Sequence, residues 1–219
     1  MKLSTPRLAP IALVLAATHS PVFAQRADED TQLWVYLVAE AQLDEKTDLT
    51  VDASARWREE RRGDEQRTLR FTLLREVAGG TQLGGGAGIF EAEGGATELR
   101  VHQQLGLETG RWSARTRIEQ RFFDGADRME LRFRQRVRYT QPLTTTFELE
   151  VDGEYLGLAQ TRDRIRNLAR DQWRLRAILN ADLSERLTLG AGYMMIYTPR
   201  DGGGDAINHV PQGYVTYRF

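Results

Sequence analysis

Residues 128–140 read RMELRFRQRVRYT. Arginine stands at every second position from Arg132 to Arg138, with Phe133, Gln135, Val137 and Tyr139 alternating with them. A period of two sends alternate side chains to opposite faces of a β-strand. One face of this segment is a guanidinium stripe and the other is mostly apolar. The question it poses for the fold is which face is wet.

The same period runs through most of the chain. Leu49, Val51, Ala53, Ala55 and Trp57 alternate with Thr50, Asp52, Ser54, Arg56 and Arg58. Leu99, Val101, Leu105 and Leu107 alternate with Arg100, His102 and Gln104, and Phe147, Leu149 and Val151 with Glu148, Glu150 and Asp152. Eleven runs read as strands: 31–43, 48–58, 66–77, 81–92, 97–108, 111–123, 128–141, 144–157, 169–182, 186–198 and 207–219. Most are about twice the roughly 5–6 residues of an ordinary globular strand. They suit the roughly 9–11 residues of a tilted membrane-spanning strand with short overhangs.

The connections alternate too. Short ones fall at Asp44–Thr47, Gly79–Gly80, Thr109–Gly110, Pro142–Leu143 and Ser184–Glu185. Longer, charged or glycine-rich ones fall at Arg58–Glu65, Glu93–Ala96, Asp124–Asp127, Leu158–Leu168 and Pro199–Ala206. Short turns on one rim and longer loops on the other are the organisation of an outer-membrane barrel, with the turns periplasmic. A soluble barrel would show the same alternation with the apolar face inward. Three features favour the membrane version: the strand lengths, the dense Arg and Glu of the polar faces, and aromatic residues near strand ends (Trp34, Tyr36, Trp57, Trp112, Phe122, Tyr139, Trp173, Tyr197 and Tyr217). The expected fold is all-β, an antiparallel up-and-down transmembrane β-barrel. Bacterial barrels have even strand numbers, so eleven runs point to about twelve strands, with ten as the alternative.

Composition bounds the function. The chain has 219 residues and no cysteine, which excludes disulfides and thiolate chemistry. Mean hydropathy is −0.50 and 28% of residues are charged. The balance of 30 basic and 31 acidic residues gives no pointer to nucleic acid. Lys2 and Arg7, the apolar run Leu8 to Ala17, and Val22-Phe23-Ala24 read as a secretory signal peptide over residues 1–24. The barrel domain is then residues 25–219, exported and placed in the bacterial cell outer membrane.

Several stretches carry a family resemblance: DTQLWVYLVAEAQL, RWSARTRIEQRFFDG, RMELRFRQRVRY and the ending NHVPQGYVTYRF. With Ile118-Glu119-Gln120-Arg121-Phe122 and the terminal aromatic, they resemble the bacterial DUF2490 family. That resemblance implies an outer-membrane β-barrel over nearly the whole mature chain, and it supplies no catalytic residues. Val215, Tyr217 and Phe219 on one face are similar to the C-terminal signature read by the barrel-insertion machinery.

Pairing residues around Pro142-Leu143 sets Arg138 against Glu148, Arg136 against Glu150, Arg134 against Asp152 and Arg132 against Glu154. Such a ladder supports the pair and fixes its register. Arg115, Arg117 and Arg121 project from the preceding run. Two lumen readings follow: a narrow channel whose arginines favour small anions, and a non-conducting envelope barrel whose charges neutralise one another as a plug. Arg162, Arg164, Arg166 and Arg170 form a basic patch in the longest loop, suited to lipopolysaccharide phosphates. A third reading, a lipid-modifying hydrolase, needs a Ser–His pair, drawn from His102 and His209 with Ser54, Ser113 and Ser184. Gly84 to Gly86 and Gly88 lack the lysine and following helix of a phosphate-cradling loop and read as strand packing. No cofactor or metal site is expected. The expected partners are outer-membrane lipid and lipopolysaccharide, the insertion machinery and small anionic solutes.

Overall fold

The computed structural model describes residues 28–58, 65–164, 171–200 and 204–219, and the signal segment expected at residues 1–24 lies outside them. The described chain is all strand and connection: β1 (Asp28–Thr31), β2 (Leu33–Asp44), β3 (Thr47–Trp57), β4 (Gln66–Ala78), β5 (Thr81–Ala92), β6 (Glu98–Thr109), β7 (Trp112–Phe123), β8 (Glu130–Pro142), β9 (Phe147–Gln160), β10 (Gln172–Asp182), β11 (Leu187–Thr198) and β12 (Ala206–Arg218). From β2 to β12 every strand pairs antiparallel with the next, and β12 returns to β2 to close the wall.

Twelve strands form, but the closure differs from a wholly antiparallel wall. Asp28 to Thr31 pair with Ala206 to His209, and Trp34 to Glu40 pair with Gln212 to Arg218, both in parallel and at one offset. β1 and β2 therefore lie end to end against β12, and the wall has eleven staves joined by one parallel seam. That resolves the parity problem of eleven runs. The break between β1 and β2 has a local cause. The His209 carbonyl accepts from the Gln32 N–H at 2.8 Å, and the Phe219 N–H donates to the Glu40 carbonyl at 3.0 Å. Odd-numbered residues of β12 thus turn their peptide groups to this edge. Pro211 is one of them, and it has no N–H to donate.

One rim carries the turns after β2, β4, β6, β8 and β10, together with Phe219; the other carries the longer connections and Asp28. Gly80 and Gly110 sit at positive φ (71° and 58°) in the tightest of the turns, where glycine avoids a Cβ clash. The turn after β8 is longer than expected. The Thr144 hydroxyl accepts the Thr146 and Phe147 N–H groups at 3.1 and 2.9 Å, so Leu143 to Thr146 make a side-chain-capped turn beyond Pro142.

The packing is inverted relative to a water-soluble barrel. Leu37, Phe71, Leu99, Ile118, Phe133, Val151, Leu175, Leu189 and Val215 point outward and are exposed, Leu175 by 58%. Inward positions are mostly polar and buried. Trp112 packs on Tyr139 near the turn rim and Trp173 on Tyr155 near the loop rim, with ring centroids 4.9 and 4.7 Å apart. Trp34 and Tyr36 depart from the expected outward belt. Trp34 is buried inside with Met194, Ile196 and Val210, with Tyr36 packed against them. Even-numbered positions of β2 face the lumen, so these two rings are part of a small apolar filling. At Gly86 an added Cβ would lie 1.9 Å from the Phe71 carbonyl oxygen and 2.8 Å from His102 Cε1. Glycine there lets β4 approach β5 and gives the imidazole room, in keeping with the packing reading.

Candidate functional site

The lumen-facing residues of β6 to β10 form a continuous band of arginines and carboxylates. Its centre is Glu119 of β7, which is fully buried. In the β7–β8 register Glu119 lies opposite Arg132, and Arg121 opposite Glu130. Arg132 donates to Glu119 Oε2 at 2.8 Å through Nε and at 2.5 Å through Nη2. Arg134 donates through Nη1 to Glu119 Oε1 at 2.8 Å, and through Nε and Nη2 to the two oxygens of Glu154 at 3.1 and 2.7 Å. Arg115 adds a 2.6 Å bond to Glu154. Arg134 is thus a bridge between two carboxylates supplied by different strands. Such forked, charge-assisted bonds are the strongest class of hydrogen bond available to side chains.

The ladder expected across β8 and β9 is corrected in register. Because the turn takes in Leu143 to Thr146, Arg138 faces Asp152, Arg136 faces Glu154, Arg134 faces Leu156 and Arg132 faces Leu158. Glu148 and Glu150 lie opposite Pro142 and Thr140 instead. The parity survives, so all four arginines still point inward. The ion pairs form along diagonals: Arg138 reaches Glu150 at 2.9 Å, and Glu154 takes Arg134. Asp152 is bound by Arg176 of β10 at 2.7 Å, and Arg176 also donates to the Tyr214 hydroxyl at 3.1 Å. Arg136 makes no ion pair among the described residues.

Sequence reasoning missed several partners. Glu98 accepts both arms of Arg121 at 2.7 and 2.9 Å and also Arg100 at 2.7 Å. Arg121 contacts Glu130 as well. Arg70 grips Asp52 with two bonds of 2.8 and 2.9 Å. Arg117 donates to Gln104 at 2.9 Å. The Glu119–Arg132 and Arg121–Glu130 pairs were recoverable by folding 112–123 onto 130–142 across the loop between them. The Asp52–Arg70 pair was recoverable in the same way, by folding 47–57 onto 66–78, where the two stand opposite each other. The contacts of Arg100 have no signal in the hairpin pattern beyond strand parity.

Above this band, towards the loop rim, the lumen opens into a cup of about 420 Å³. Arg56, Arg100, Arg121, Arg132, Arg134 and Arg174 line it, with Glu98 and Glu130 as the lining carboxylates. Arg56 lies over the Trp34 ring at 4.1 Å and Arg100 over Phe90 at 3.7 Å, which holds both guanidiniums by their faces.

Several of the other candidate residues have local partners. Ser54 Oγ and Thr68 Oγ1 are 2.7 Å apart, Ser184 accepts turn N–H groups at 3.3 and 3.1 Å, and His209 meets the Tyr193 hydroxyl at 2.5 Å on the outer face. His102 is buried in the lumen wall, and no serine hydrogen-bonds to either histidine among the described residues. In the loop patch, Arg162 covers the Phe123 ring at 4.4 Å and Arg164 is exposed, while Arg166 and Arg170 lie outside the described residues. Val215, Tyr217 and Phe219 all face outward at the turn rim, with Tyr217 edge-on to Phe219 at 5.0 Å.

The family model described as a protein of unknown function, DUF2490, matches residues 31–208, nearly the full length of the barrel wall. The chain belongs to the DUF2490 family. No curated protein matches the sequence. In this DUF2490 barrel the matched segment contains the whole arginine–carboxylate band, from Glu98 to Arg176, together with the Asp52–Arg70 pair, and leaves the terminal Val215, Tyr217 and Phe219 beyond it.

Proposed function

We propose that the protein is an outer-membrane β-barrel whose lumen is closed by its own charges: a non-conducting envelope barrel rather than an open pore. The observation that carries this is the inverted burial. Large apolar side chains are exposed on the outer face all round, whereas Glu119, Glu154, Arg134 and Arg117 are buried inside. A soluble monomer rarely exposes contiguous apolar surface beyond a few hundred Å², and hydrocarbon accepts such a face without cost. The closed wall pairs the backbone groups that lipid cannot satisfy.

The plug follows from the inward side chains. Every long strand contributes at least one buried residue to the lumen, among them Ser54, Phe90, His102, Glu119, Arg134 and Val210. Arginine–carboxylate bridges tie β6 to β10 across this filling. In this reading the signal over residues 1–24 directs export, and the outward Val215, Tyr217 and Phe219 present the insertion signature at the periplasmic rim. The longer loops then face outward, where Arg162 and Arg164 meet lipopolysaccharide phosphate.

Brominated lipid tests the embedding. With the protein folded into vesicles, bromine on the acyl chains should quench the outward Trp57, Trp112 and Trp173 and spare the luminal Trp34. Equal quenching of Trp34, or no vesicle association, contradicts the reading. Replacing Arg134 and Arg136 then separates plug from pore: a plugged barrel loses stability, whereas a channel loses anion preference.

A further inference from the structure

The cup at the loop rim has more positive charge than its fold requires. We infer that it is a binding site for a small, multiply charged oxyanion, a phosphorylated or carboxylated solute of roughly sugar size. Arg70, Arg100, Arg121, Arg132 and Arg134 are held by Asp52, Glu98, Glu119, Glu130 and Glu154. Two of those carboxylates also serve arginines below the cup: Glu154 holds Arg115 at 2.6 Å, and Glu119 lies 3.7 Å from Arg117. Each of the two already accepts three hydrogen bonds from arginine.

Arg56 and Arg174 are left over. They stand on β3 and β10, across the lumen from one another, and both line the cup. Arg56 donates to the Gln66 side chain at 3.1 Å and has no ion pair among the described residues. Arg174 donates to Gln172 at 3.0 Å, and its nearest carboxylate oxygen, on Glu154, is 3.9 Å away and already bound by Arg134. The Nε of each is buried without a hydrogen-bond partner. A buried donor left unpaired costs free energy that an added acceptor recovers. Two forks line one space, and Arg56 Nη2 and Arg174 Nη1 make no hydrogen bond among the described residues. Such forks match the oxygens of phosphate or carboxylate.

The cup also sets the size and the shape of the ligand. About 420 Å³ lies in the range of small-molecule sites and well above a single ion. Leu156, Leu158 and Ile196 form an apolar arc beside the arginines, suited to a carbon skeleton. The geometry holds whether or not the barrel lies in a membrane, so the inference goes beyond the proposed function and does not rest on it.

Inorganic pyrophosphate is the probe, titrated calorimetrically into the purified folded protein in lipid-free micelles. Saturable binding is expected, weakened at least about tenfold in the double variant Arg56→Gln/Arg174→Gln, since each lost charge-assisted bond contributes that order. Arg56 has no ion pair to break and Glu154 keeps Arg134 and Arg115 when Arg174 is replaced, so the variant should keep the heat-modifiable barrel. If the double variant fails to fold, Arg56→Gln alone carries the test. Arg111→Gln, on the turn rim, should bind as wild type does. Displacement of pyrophosphate by anionic phospholipid would still support an oxyanion site and assign it to a headgroup. No saturable binding, or equal binding by the cup variants, overturns the inference.

Discussion

Glu119 is the residue on which the interior depends most. It is fully buried, accepts three hydrogen bonds from Arg132 and Arg134, and has Arg100 and Arg117 within 3.9 Å. Arginine stays charged in proteins, so removing the acid leaves buried cations without compensation. Glu119→Gln should therefore destabilise the barrel by about 3–5 kcal/mol, the range for breaking a buried pair. Urea titration of the micelle-folded protein measures it, and a loss within about 0.5 kcal/mol, as for an ordinary surface position, contradicts the assignment. At this scale the sequence was only half legible. Alternation placed Arg132 to Arg138 and Glu148 to Glu154 on the inner face, because face depends on parity alone. It could not pair them, because pairing depends on turn length, and Thr144 extends the turn by capping it with its hydroxyl. Trp34 and Tyr36 looked like belt aromatics from their position near a strand end; parity with Val38 and Glu40 marks them as luminal.

At the scale of elements, the parallel seam is the unusual joint. Pro211 interrupts it where β1 meets β2, and the loop-rim end is tied by Arg200 to Asp28 at 2.9 Å and by the Asp28 N–H to the Asp205 carbonyl at 2.8 Å. Pro211→Ala restores a donor on the β2 side. The expected outcome is slower amide exchange around Gln32 to Trp34 with global stability changed by no more than about 1 kcal/mol, since a net hydrogen bond contributes about that much and lost proline stiffness offsets it. Unchanged exchange there would mean that something other than the missing N–H breaks the strand. Asp205 gives the same joint a pH dependence. The Tyr197 hydroxyl donates to its carboxylate at 2.6 Å and the Arg200 N–H at 3.1 Å, and these bonds hold the carboxyl below its ordinary value of 3.8. A lowered folded pKa contributes stability above the ordinary value, and that contribution is lost as pH falls through the lowered one. Amide exchange at Arg200 and Asp28 should accelerate only below about pH 4. Acceleration beginning near neutral pH assigns the loop's anchoring to another group. The hairpin pattern located all eleven long strands from sequence; the seam was hidden because it joins the two ends of the chain, where no turn reports the pairing.

For the molecule as a whole, one inversion organises everything else. Apolar stripes turn outward, charged stripes turn inward, and eleven staves leave a lumen that arginine side chains are long enough to fill. Filling it demands small residues where the side chains crowd, as at Gly86, and acids where guanidiniums converge, as at Glu119 and Glu154. The inversion could be read from strand length and charge density. Whether the lumen was filled could not, because that depends on side chains meeting across the barrel from strands far apart in sequence. The most direct test is conductance of the folded protein in a planar bilayer. A closed barrel inserts, shows heat-modifiable migration and gives no discrete current steps in wild type. Discrete openings that prefer anions in the wild-type protein would contradict the plug and make the arginine band the wall of a pore.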